Sequence, residues 1–244
     1  MFDKDGPTFF ELLDQALKST KDGYELLAPK FDKTPFRTPD DVVKRAVETI
    51  GDPIDSALDL CTGTGVGLVA LRPMTKKRLV GIDFSPAMLT QAKAALGIEP
   101  RGLVPPPEGG PKIELLEKDV FAMDFDKQFD VATCFGALGH IPEADEAKFL
   151  GLVRKALVPG GRFVFVTADR PKAYDPRALV ARGFNLAMRV RNALISPPFV
   201  MYYLTFVLPD IERKLRWTGF DVTLHRDVFE GPFKPLVVVV ARRI

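Results

Sequence analysis

The strongest constraint on the fold is a regular alternation of apolar runs with amphipathic helical patterns between residues 54 and 167. Five runs have the length and composition of strands: Ile54–Leu60, Leu79–Asp83, Lys112–Glu117, Phe129–Phe135 and Arg162–Thr167. Strands that alternate with helices pair in parallel, with helices on both faces of the sheet. Because the crossovers are right-handed, the carboxyl ends of the strands meet at one edge, where ligands bind. The sequence therefore predicts a doubly wound α/β fold.

Helix signals fill the intervals between these strands. Ser85-Pro86 is typical of a helix start and Gly97 of its end, and a second helix begins near Glu143 and stops at Pro159. After residue 209 the pattern changes to a short helix at 210–217 and two strands, 220–229 and 236–241. Because only a turn joins these two strands, we expect them to pair antiparallel.

The ends of the chain and one loop complete the predicted organisation. Helical patterns at Thr8–Lys18 and Pro39–Ile50 predict that residues 1–52 form a helical segment over the ligand site. Residues 53–244 are then one domain with an insertion at 168–208. The proline-rich stretch Arg101–Pro111 is predicted to be an exposed loop.

Composition excludes several classes of protein. With 244 residues, 46% of them hydrophobic, the chain can bury a full core, and a net charge of +2 argues against disorder and against nucleic-acid binding. The two cysteines cannot form a disulfide framework or a four-ligand zinc cluster, so no metal is expected. The charged N-terminus is unlike a signal peptide, which favours a cytoplasmic setting.

A glycine-rich turn and the ends of the three strands that follow it point to a nucleotide-like ligand. Gly63, Gly65 and Gly67 follow the first strand, and Asp83 ends the next strand 20 residues after Gly63, where a carboxylate can accept both ribose hydroxyls. Asp119-Val120 follows the third strand, in position to meet an adenine ring. The fourth strand ends at Cys134-Phe135, which faces the same pocket.

The turn differs from a dinucleotide-binding loop. Leu68 occupies the position of the third glycine, and Asp59 stands where it would repel a pyrophosphate but could accept a hydrogen bond from an ammonium group. A nicotinamide oxidoreductase is therefore disfavoured. Adenosine that carries a zwitterionic amino acid fits better, which predicts S-adenosylmethionine as the cofactor and S-adenosylhomocysteine (SAH) as its product.

The order of these motifs resembles that of class I S-adenosylmethionine-dependent methyltransferases. The matching motifs are Asp59-x-Cys61-x-Gly63-x-Gly65, Asp83, Asp119-Val120, Phe129-Asp130-Val131 and Pro159-Gly160-Gly161-Arg162. The resemblance implies a Rossmann-like seven-stranded sheet with an antiparallel last strand, and methyl transfer as the activity. The chain departs from the family at Cys61, where most members have glycine; we interpret Cys61 as a packed small residue and not as a nucleophile.

The resemblance also implies a set of cofactor-binding residues. They are Asp59, Cys61, Gly63, Thr64, Gly65, Asp83, Phe84, Met88, Asp119, Val120, Cys134 and Phe135. Tyr24, near Phe31-Asp32, resembles an aromatic segment that folds over the methionine end of the cofactor in relatives, and Arg37 could pair with the cofactor carboxylate. Alternatively, these residues only pack the N-terminal segment onto the sheet.

His140 is the candidate general base. It follows the fourth strand at the ligand edge, and imidazole titrates in the range that such a role needs. A base is required only if the acceptor must lose a proton, because the methyl donor is already activated. The alternative is that His140 packs against substrate or cofactor.

The insertion at 168–208 contains six basic and two acidic residues, and 193–209 carries no charge. We expect it to be a lid whose Tyr174, Phe184, Met188, Tyr202 and Tyr203 shape a pocket for a small, partly apolar acceptor with an O, N or C methylation site. A solvated arginine face over an apolar core, a core helix at 193–209 and a peripheral membrane contact remain alternatives, as do a monomer or a homodimer. A rival function is a catalytically silent S-adenosylmethionine-binding sensor or scaffold.

Overall fold

A seven-stranded mixed sheet forms the centre of the molecule. We describe it from a computed structural model, which covers residues 6–34, 36–98, 109–172 and 174–244. The strands are β1 Ile54–Leu60, β2 Thr75–Asp83, β3 Lys112–Glu117, β4 Phe129–Cys134, β5 Leu157–Ala168, β6 Phe220–His225 and β7 Leu236–Arg243. Their order is β3-β2-β1-β4-β5-β7-β6, with β1 to β5 parallel and β7 antiparallel to both of its neighbours. The predicted doubly wound fold with an antiparallel last strand is confirmed.

Helices cover both faces of this sheet. They are α1 Phe9–Leu17, α2 Thr20–Leu27, α3 Asp40–Glu48, α4 Val66–Leu71, α5 Pro86–Ala95, α6 Glu146–Ala156, α7 Pro176–Leu194 and α8 Asp210–Trp217. Side chains along β5 alternate between two buried clusters: Phe163 and Phe165 pack on one face, and Val164 packs on the other. This period of two is what a strand buried on both faces requires.

Three strands differ from their predicted boundaries by more than two residues. β2 begins at Thr75 instead of Leu79, because two polar residues before the apolar run, Thr75 and Arg78, also pair with β1. β5 begins at Leu157, so the Pro159-Gly160-Gly161 segment that was predicted to stop a helix already belongs to a strand. β6 ends at His225, opposite Val238, and not at residue 229.

The region after β5 differs most from expectation. Helix α7 was not predicted, and neither was α2. No core helix forms at 193–209, because α7 ends at Leu194 and Pro197-Pro198 supply no backbone N–H groups. After α7 the chain is irregular up to Leu208, which forms an isolated bridge with Asp169.

The N-terminal segment and the insertion pack on each other. The Thr20 N–H donates to the carbonyl of Pro198 (3.3 Å), and the Thr20 hydroxyl accepts the Val200 N–H (2.8 Å). Arg191 of α7 donates to the carbonyls of Ala16 and Lys18 at the end of α1. Of the predicted loop at 101–111, residues 101–108 lie outside the described residues.

Candidate active site at the carboxyl edge of the sheet

The loop after β1 is held in place by a buried carboxylate. Asp59 accepts the hydroxyls of Thr62 (2.5 Å) and Thr133 (2.6 Å), and burial raises its pKa to about 6 despite these hydrogen bonds. A Cβ atom at Gly67 would lie 2.5 Å from both carboxylate oxygens, so only glycine fits there. One oxygen of Asp59 accepts from Thr62 in the loop and the other from Thr133 in β4, so Asp59 ties the loop to β4. Its side chain lines none of the cavities described below, and its predicted contact with an ammonium group stays a prediction.

Cys61 takes a backbone conformation that favours glycine. Its φ of +51° lies in the left-handed region, as does the φ of +52° at Gly63. The hydrogen bond with Cys134 and burial raise the pKa of the Cys61 thiol well above its ordinary value. A protonated, packed thiol is a poor nucleophile, in agreement with the interpretation of Cys61 as a packing residue.

Asp83 joins the loop to the end of β2. Its Oδ2 accepts the Gly63 N–H (2.8 Å) and its Oδ1 accepts the Ser85 N–H (2.9 Å). The residue is 6% exposed, and burial raises the pKa of its carboxyl. Each carboxylate oxygen can accept a second hydrogen bond, so Asp83 can still receive two donors from a ligand.

Two adjoining cavities run along this edge. The loop cavity is lined by Tyr24, Phe31, Phe36, Arg37, Thr38, Cys61, Thr62, Gly63, Thr64, Val66, Asp83, Phe84, Met88, Phe135, Gly136, Ala137 and His140. The edge cavity, of about 570 Å³, lies over β3 and β4; its lining includes Asp119, Val120, Ile141 and Val200. Both cavities share Cys61, Phe84, Ala137 and His140, so they form one cleft.

A third cavity, the insertion cavity, lies between this cleft and the insertion. Its volume is about 310 Å³, and Met201, Tyr202, Tyr203, Leu204 and Thr205 line one side. Tyr24, Phe36, Gly136 and His140 line both it and the loop cavity. A ligand in the loop cavity and a second molecule in the insertion cavity would therefore meet at Tyr24 and His140.

Tyr24 and His140 form a hydrogen-bonded pair at this meeting point. The Tyr24 oxygen lies 2.7 Å from Nε2 of His140, and Nδ1 of His140 lies 2.5 Å from the Val200 carbonyl. A carbonyl can only accept, so Nδ1 carries the hydrogen and Nε2 of the neutral ring accepts the Tyr24 hydroxyl. The insertion thereby fixes the tautomer of His140.

Burial keeps both members of the pair uncharged. It lowers the pKa of His140, against the opposing effect of the hydrogen bond to Val200. It also raises the pKa of Tyr24, with a further contribution from the Asp83 carboxylate. At neutral pH the pair is a phenol that donates to an imidazole able to accept a proton.

Aromatic rings surround Tyr24. Its ring centroid lies 5.9 Å from that of Phe31, 6.5 Å from Phe84, 5.1 Å from His140 and 6.4 Å from Phe199. These neighbours come from the N-terminal segment, the end of β2, the loop after β4 and the insertion. The pair is thus enclosed by apolar surface from four parts of the chain.

Arg37 reaches the loop cavity, where its charge is balanced by acidic residues. Its Nε lies 2.9 Å from Oδ1 of Asp32, and its Nη2 lies 2.5 Å from Oδ1 of Asp40. The same Asp32 oxygen accepts the hydroxyl of Thr64 (2.6 Å), which ties the N-terminal segment to the loop after β1. Arg37 would have to change partners to pair with a cofactor carboxylate.

The residues predicted to bind the cofactor or to act in catalysis fall into two groups in the structure, those that line the cleft and those behind it. Those on the cleft are Tyr24, Arg37, Cys61, Gly63, Thr64, Asp83, Phe84, Met88, Asp119, Val120, Phe135 and His140. Asp59, Gly65 and Cys134 lie behind it, where Gly65 (φ +93°) lets the loop approach Ala92. The cleft residues Phe36 and Thr38 were missed, because nothing local distinguishes them from residues of an ordinary loop.

The five residues named in the insertion have different surroundings. Tyr202 and Tyr203 line the insertion cavity. Phe184 packs on Tyr203 with ring centroids 4.9 Å apart, on the side away from His140. Met188 is buried without lining that cavity, and Tyr174 is 75% exposed. Among the described residues, no cluster of three or more His, Cys, Asp or Glu could hold a metal ion.

Solved structures of methyltransferases share this architecture. The structure of DhpI in complex with SAH is 20% identical, with a TM-score of 0.64, and the match covers 97% of this chain and 98% of that chain. Magnesium protoporphyrin IX methyltransferase from Synechocystis, also with bound SAH, is 17% identical over 84% of this chain and 81% of that one, with a TM-score of 0.54. A putative methyltransferase from Bacillus halodurans is 18% identical over 82% and 98% of the two chains, with a TM-score of 0.58. At these identities the comparison establishes the fold.

The strand order and the solved structures together establish the fold: it is the Rossmann-like fold that these S-adenosylmethionine-dependent methyltransferase structures share. In addition, residues 57–161 match the family model described as a methyltransferase domain. No curated protein matches the sequence.

Proposed function

We propose that this protein transfers a methyl group from S-adenosylmethionine to an O, N or C atom of a small, partly apolar molecule. The observation that carries the proposal is the position of the Tyr24–His140 pair on the wall shared by the loop cavity and the insertion cavity. The cofactor would occupy the loop and edge cavities, and the acceptor the insertion cavity.

The residues of the cleft fit an adenosine-containing cofactor. Asp83 is a buried carboxylate with free acceptor capacity, which suits the two ribose hydroxyls. Gly63 leaves open space beside it, with nothing within 4 Å of a Cβ position. Asp119 and Val120 line the edge cavity, where they would meet the adenine. Once bound, the cofactor supplies an activated methyl group on a sulfonium.

The chain's own contribution is to orient the acceptor and to take its proton. Because the Tyr24 hydroxyl donates to His140, the phenol oxygen keeps lone pairs that can accept a hydrogen bond from a hydroxyl or amine in the insertion cavity. As the acceptor loses its proton to the Tyr24 oxygen, the Tyr24 proton moves to Nε2 of His140. Val200 holds the ring in the tautomer that can receive it.

Binding is tested first with Asp83→Ala. Loss of the carboxylate removes two hydrogen-bond acceptors for the ribose, so SAH affinity measured by calorimetry should fall by about 1–3 kcal/mol, or roughly tenfold to a hundredfold. Asp221→Ala, at an exposed acidic residue of β6, should bind as the wild type does. Unchanged affinity in a folded Asp83→Ala protein would place the cofactor elsewhere.

Chemistry is tested with Tyr24→Phe and His140→Gln. Both changes break the proton path while Tyr24→Phe keeps the ring packing, so kcat should fall about a hundredfold with SAH affinity nearly unchanged. Turnover is followed as SAH formation, with fractions of a cell extract as the source of acceptor. If the wild type binds SAH and no fraction supports turnover, the silent sensor or scaffold becomes the better assignment.

The pH profile supplies an independent readout. His140 must be neutral to accept a proton, and burial lowers its pKa from the ordinary 6.5. The fall of kcat with decreasing pH should therefore occur below the usual imidazole range. This fall should be absent from the residual activity of His140→Gln. A limb above pH 6.5 that persists in this variant would assign the proton to another group.

A further inference from the structure

Helix α7 has an unusual exposed face. Its exposed apolar residues include Leu179 (58%), Leu186 (64%), Val190 (51%) and Leu194 (79%), which recur at spacings of seven, four and four and so share one side of the helix. The opposite side packs on the molecule and includes polar residues such as Asn192. A helix on a water-exposed surface normally has the reverse arrangement.

Helix α1 continues this surface with the same inversion. Phe9, Phe10, Leu13 and Leu17 are 46–77% exposed, whereas the polar Gln15 is buried. Arg191 joins the two helices at their C-terminal ends. We call the outward faces of α1 and α7 together the α1–α7 face. Apolar exposure of this extent marks a binding surface.

The charge of the insertion indicates the chemistry of the partner. Between Asp175 and Asp210 the chain contains four arginines and no acidic residue, and two of these arginines, Arg182 and Arg189, are exposed on α7. A helix that combines arginines with an exposed apolar face is typical of segments that lie in a membrane interface. Anionic lipid headgroups complement the arginines, and acyl chains complement the apolar residues.

A second copy of the chain complements this face less well. The acidic residues of α1 are already paired within the molecule: Glu11 with Lys30 (2.6 Å) and Asp14 with Lys18 (2.9 Å). A two-fold dimer through the α1–α7 face would therefore bring an arginine-bearing surface against itself without acidic partners for it.

The α1–α7 face also lies beside the insertion cavity. Val180, Ala181 and Phe184 of α7 line an apolar groove together with Tyr203, and Tyr203 also lines the insertion cavity. A lipid surface against α7 would thus lie near the route to Tyr24 and His140.

We propose that the α1–α7 face docks this protein onto an anionic lipid surface, with its apolar side chains in the interface and the exposed Arg182 and Arg189 at the headgroups. Docking goes beyond the proposed methyl transfer and does not depend on it. It would give the insertion cavity access to amphiphilic acceptors dissolved in the bilayer. Among the described residues no helix could cross a membrane, so the proposed association is peripheral.

The test is flotation of the full chain with vesicles of phosphatidylcholine, alone or mixed with phosphatidylglycerol. We expect binding to the mixed vesicles and its loss at high salt, because screening weakens the headgroup contacts. Leu186→Glu combined with Val190→Glu should reduce binding at least tenfold. Arg189→Gln should reduce it about fivefold, the effect of one basic residue at such a surface.

Controls separate docking from general stickiness and from misfolding. Trp217→Glu removes an exposed aromatic residue of α8 (82%) and should leave binding unchanged. Phe10→Glu on α1 should weaken binding as the α7 variant does, which keeps the test valid if the double variant fails to fold. Unfolding midpoints and SAH affinity, measured on the same preparations without vesicles, report the fold and the proposed function separately.

Three results would overturn the proposal. The first is no binding of the wild type to phosphatidylglycerol vesicles. The second is equal loss of binding in Trp217→Glu and in the α7 variant. The third is a wild-type dimer in sedimentation velocity that the α7 variant converts to a monomer without any lipid binding, which would assign the α1–α7 face to a second copy of the chain.

Discussion

At the scale of single residues, the glycines of the loop after β1 have different physical roles. Gly63 has a φ of +52° and open space where a side chain would be, and it lines the loop cavity. Gly67 has no such φ, but it lies against the carboxylate of Asp59. One glycine leaves room for a ligand, and the other leaves room for the residue that positions the loop.

Substitution by alanine should separate these two roles. In Gly67→Ala the new Cβ would lie 2.5 Å from the Asp59 oxygens, and such overpacking should lower the free energy of unfolding by about 1–3 kcal/mol. In Gly63→Ala the cost is the left-handed backbone, about 1–2 kcal/mol, with an additional loss of SAH affinity because the Cβ enters the loop cavity. Denaturant unfolding and calorimetry on both variants measure these effects. If Gly63→Ala and Gly67→Ala lost SAH affinity in the same proportion to their loss of stability, the two glycines would not have different roles.

At the scale of elements, the irregular segment after α7 is fixed by contacts with other parts of the chain. The Tyr202 N–H donates to the Gly139 carbonyl (2.8 Å), and the Thr205 hydroxyl donates to the Leu138 carbonyl (3.2 Å). Within the insertion, the side-chain amide of Asn192 donates to the Phe199 carbonyl and accepts the Phe199 N–H. Segments held by few backbone hydrogen bonds open at low free-energy cost.

Hydrogen exchange should therefore show this segment to be a lid. Without ligand, amides of residues 199–206 should exchange faster than those of β4 and β5, because they belong to no ladder. SAH should slow them about tenfold or more, since a ligand in the loop cavity packs on Tyr24 and His140, which the segment contacts. Amides of β7 serve as the internal control. Equal protection of 199–206 with and without SAH would show a permanent part of the core.

At the scale of the whole molecule, buried ionisable groups make stability depend on pH with opposing signs. Burial raises the pKa of Asp59 to about 6, so its contribution to stability is complete below its ordinary value of 3.8 and is lost as the pH rises through 6. Burial lowers the pKa of His140, so its contribution is present above 6.5 and is lost as the pH falls. The two effects oppose each other between pH 5 and 7.

Asp59→Asn should isolate the first effect. Between pH 7 and pH 5 the Asp59 carboxyl should add about 1 kcal/mol to the free energy of unfolding of the wild type, and the amide cannot add it. The stability difference between wild type and Asp59→Asn should therefore change by that amount in denaturant titrations across this range. A constant difference would mean that Asp59 is fully ionised at pH 5.

The sequence alone determined the sheet, its antiparallel last strand and the edge on which the candidate site lies. Strand periodicity, helix caps and the turn residues around Gly63 are local signals, and the handedness of crossovers converts them into one arrangement. The spacing of Leu179, Leu186, Val190 and Leu194 is helical, but it could not show that this apolar side of α7 faces outward. Periodicity defines a helix face, and only packing decides whether that face is buried.

Only the tertiary structure decided which partners the candidate site residues have. It holds Asp59 between Thr62 and Thr133, and it pairs Arg37 with Asp32 and Asp40. It also set the protonation of His140 through Val200 and Tyr24, which lie 60 and 116 residues away along the chain. Such roles depend on which groups share a low-dielectric space, and that is fixed by packing between distant segments and not by any local run of residues.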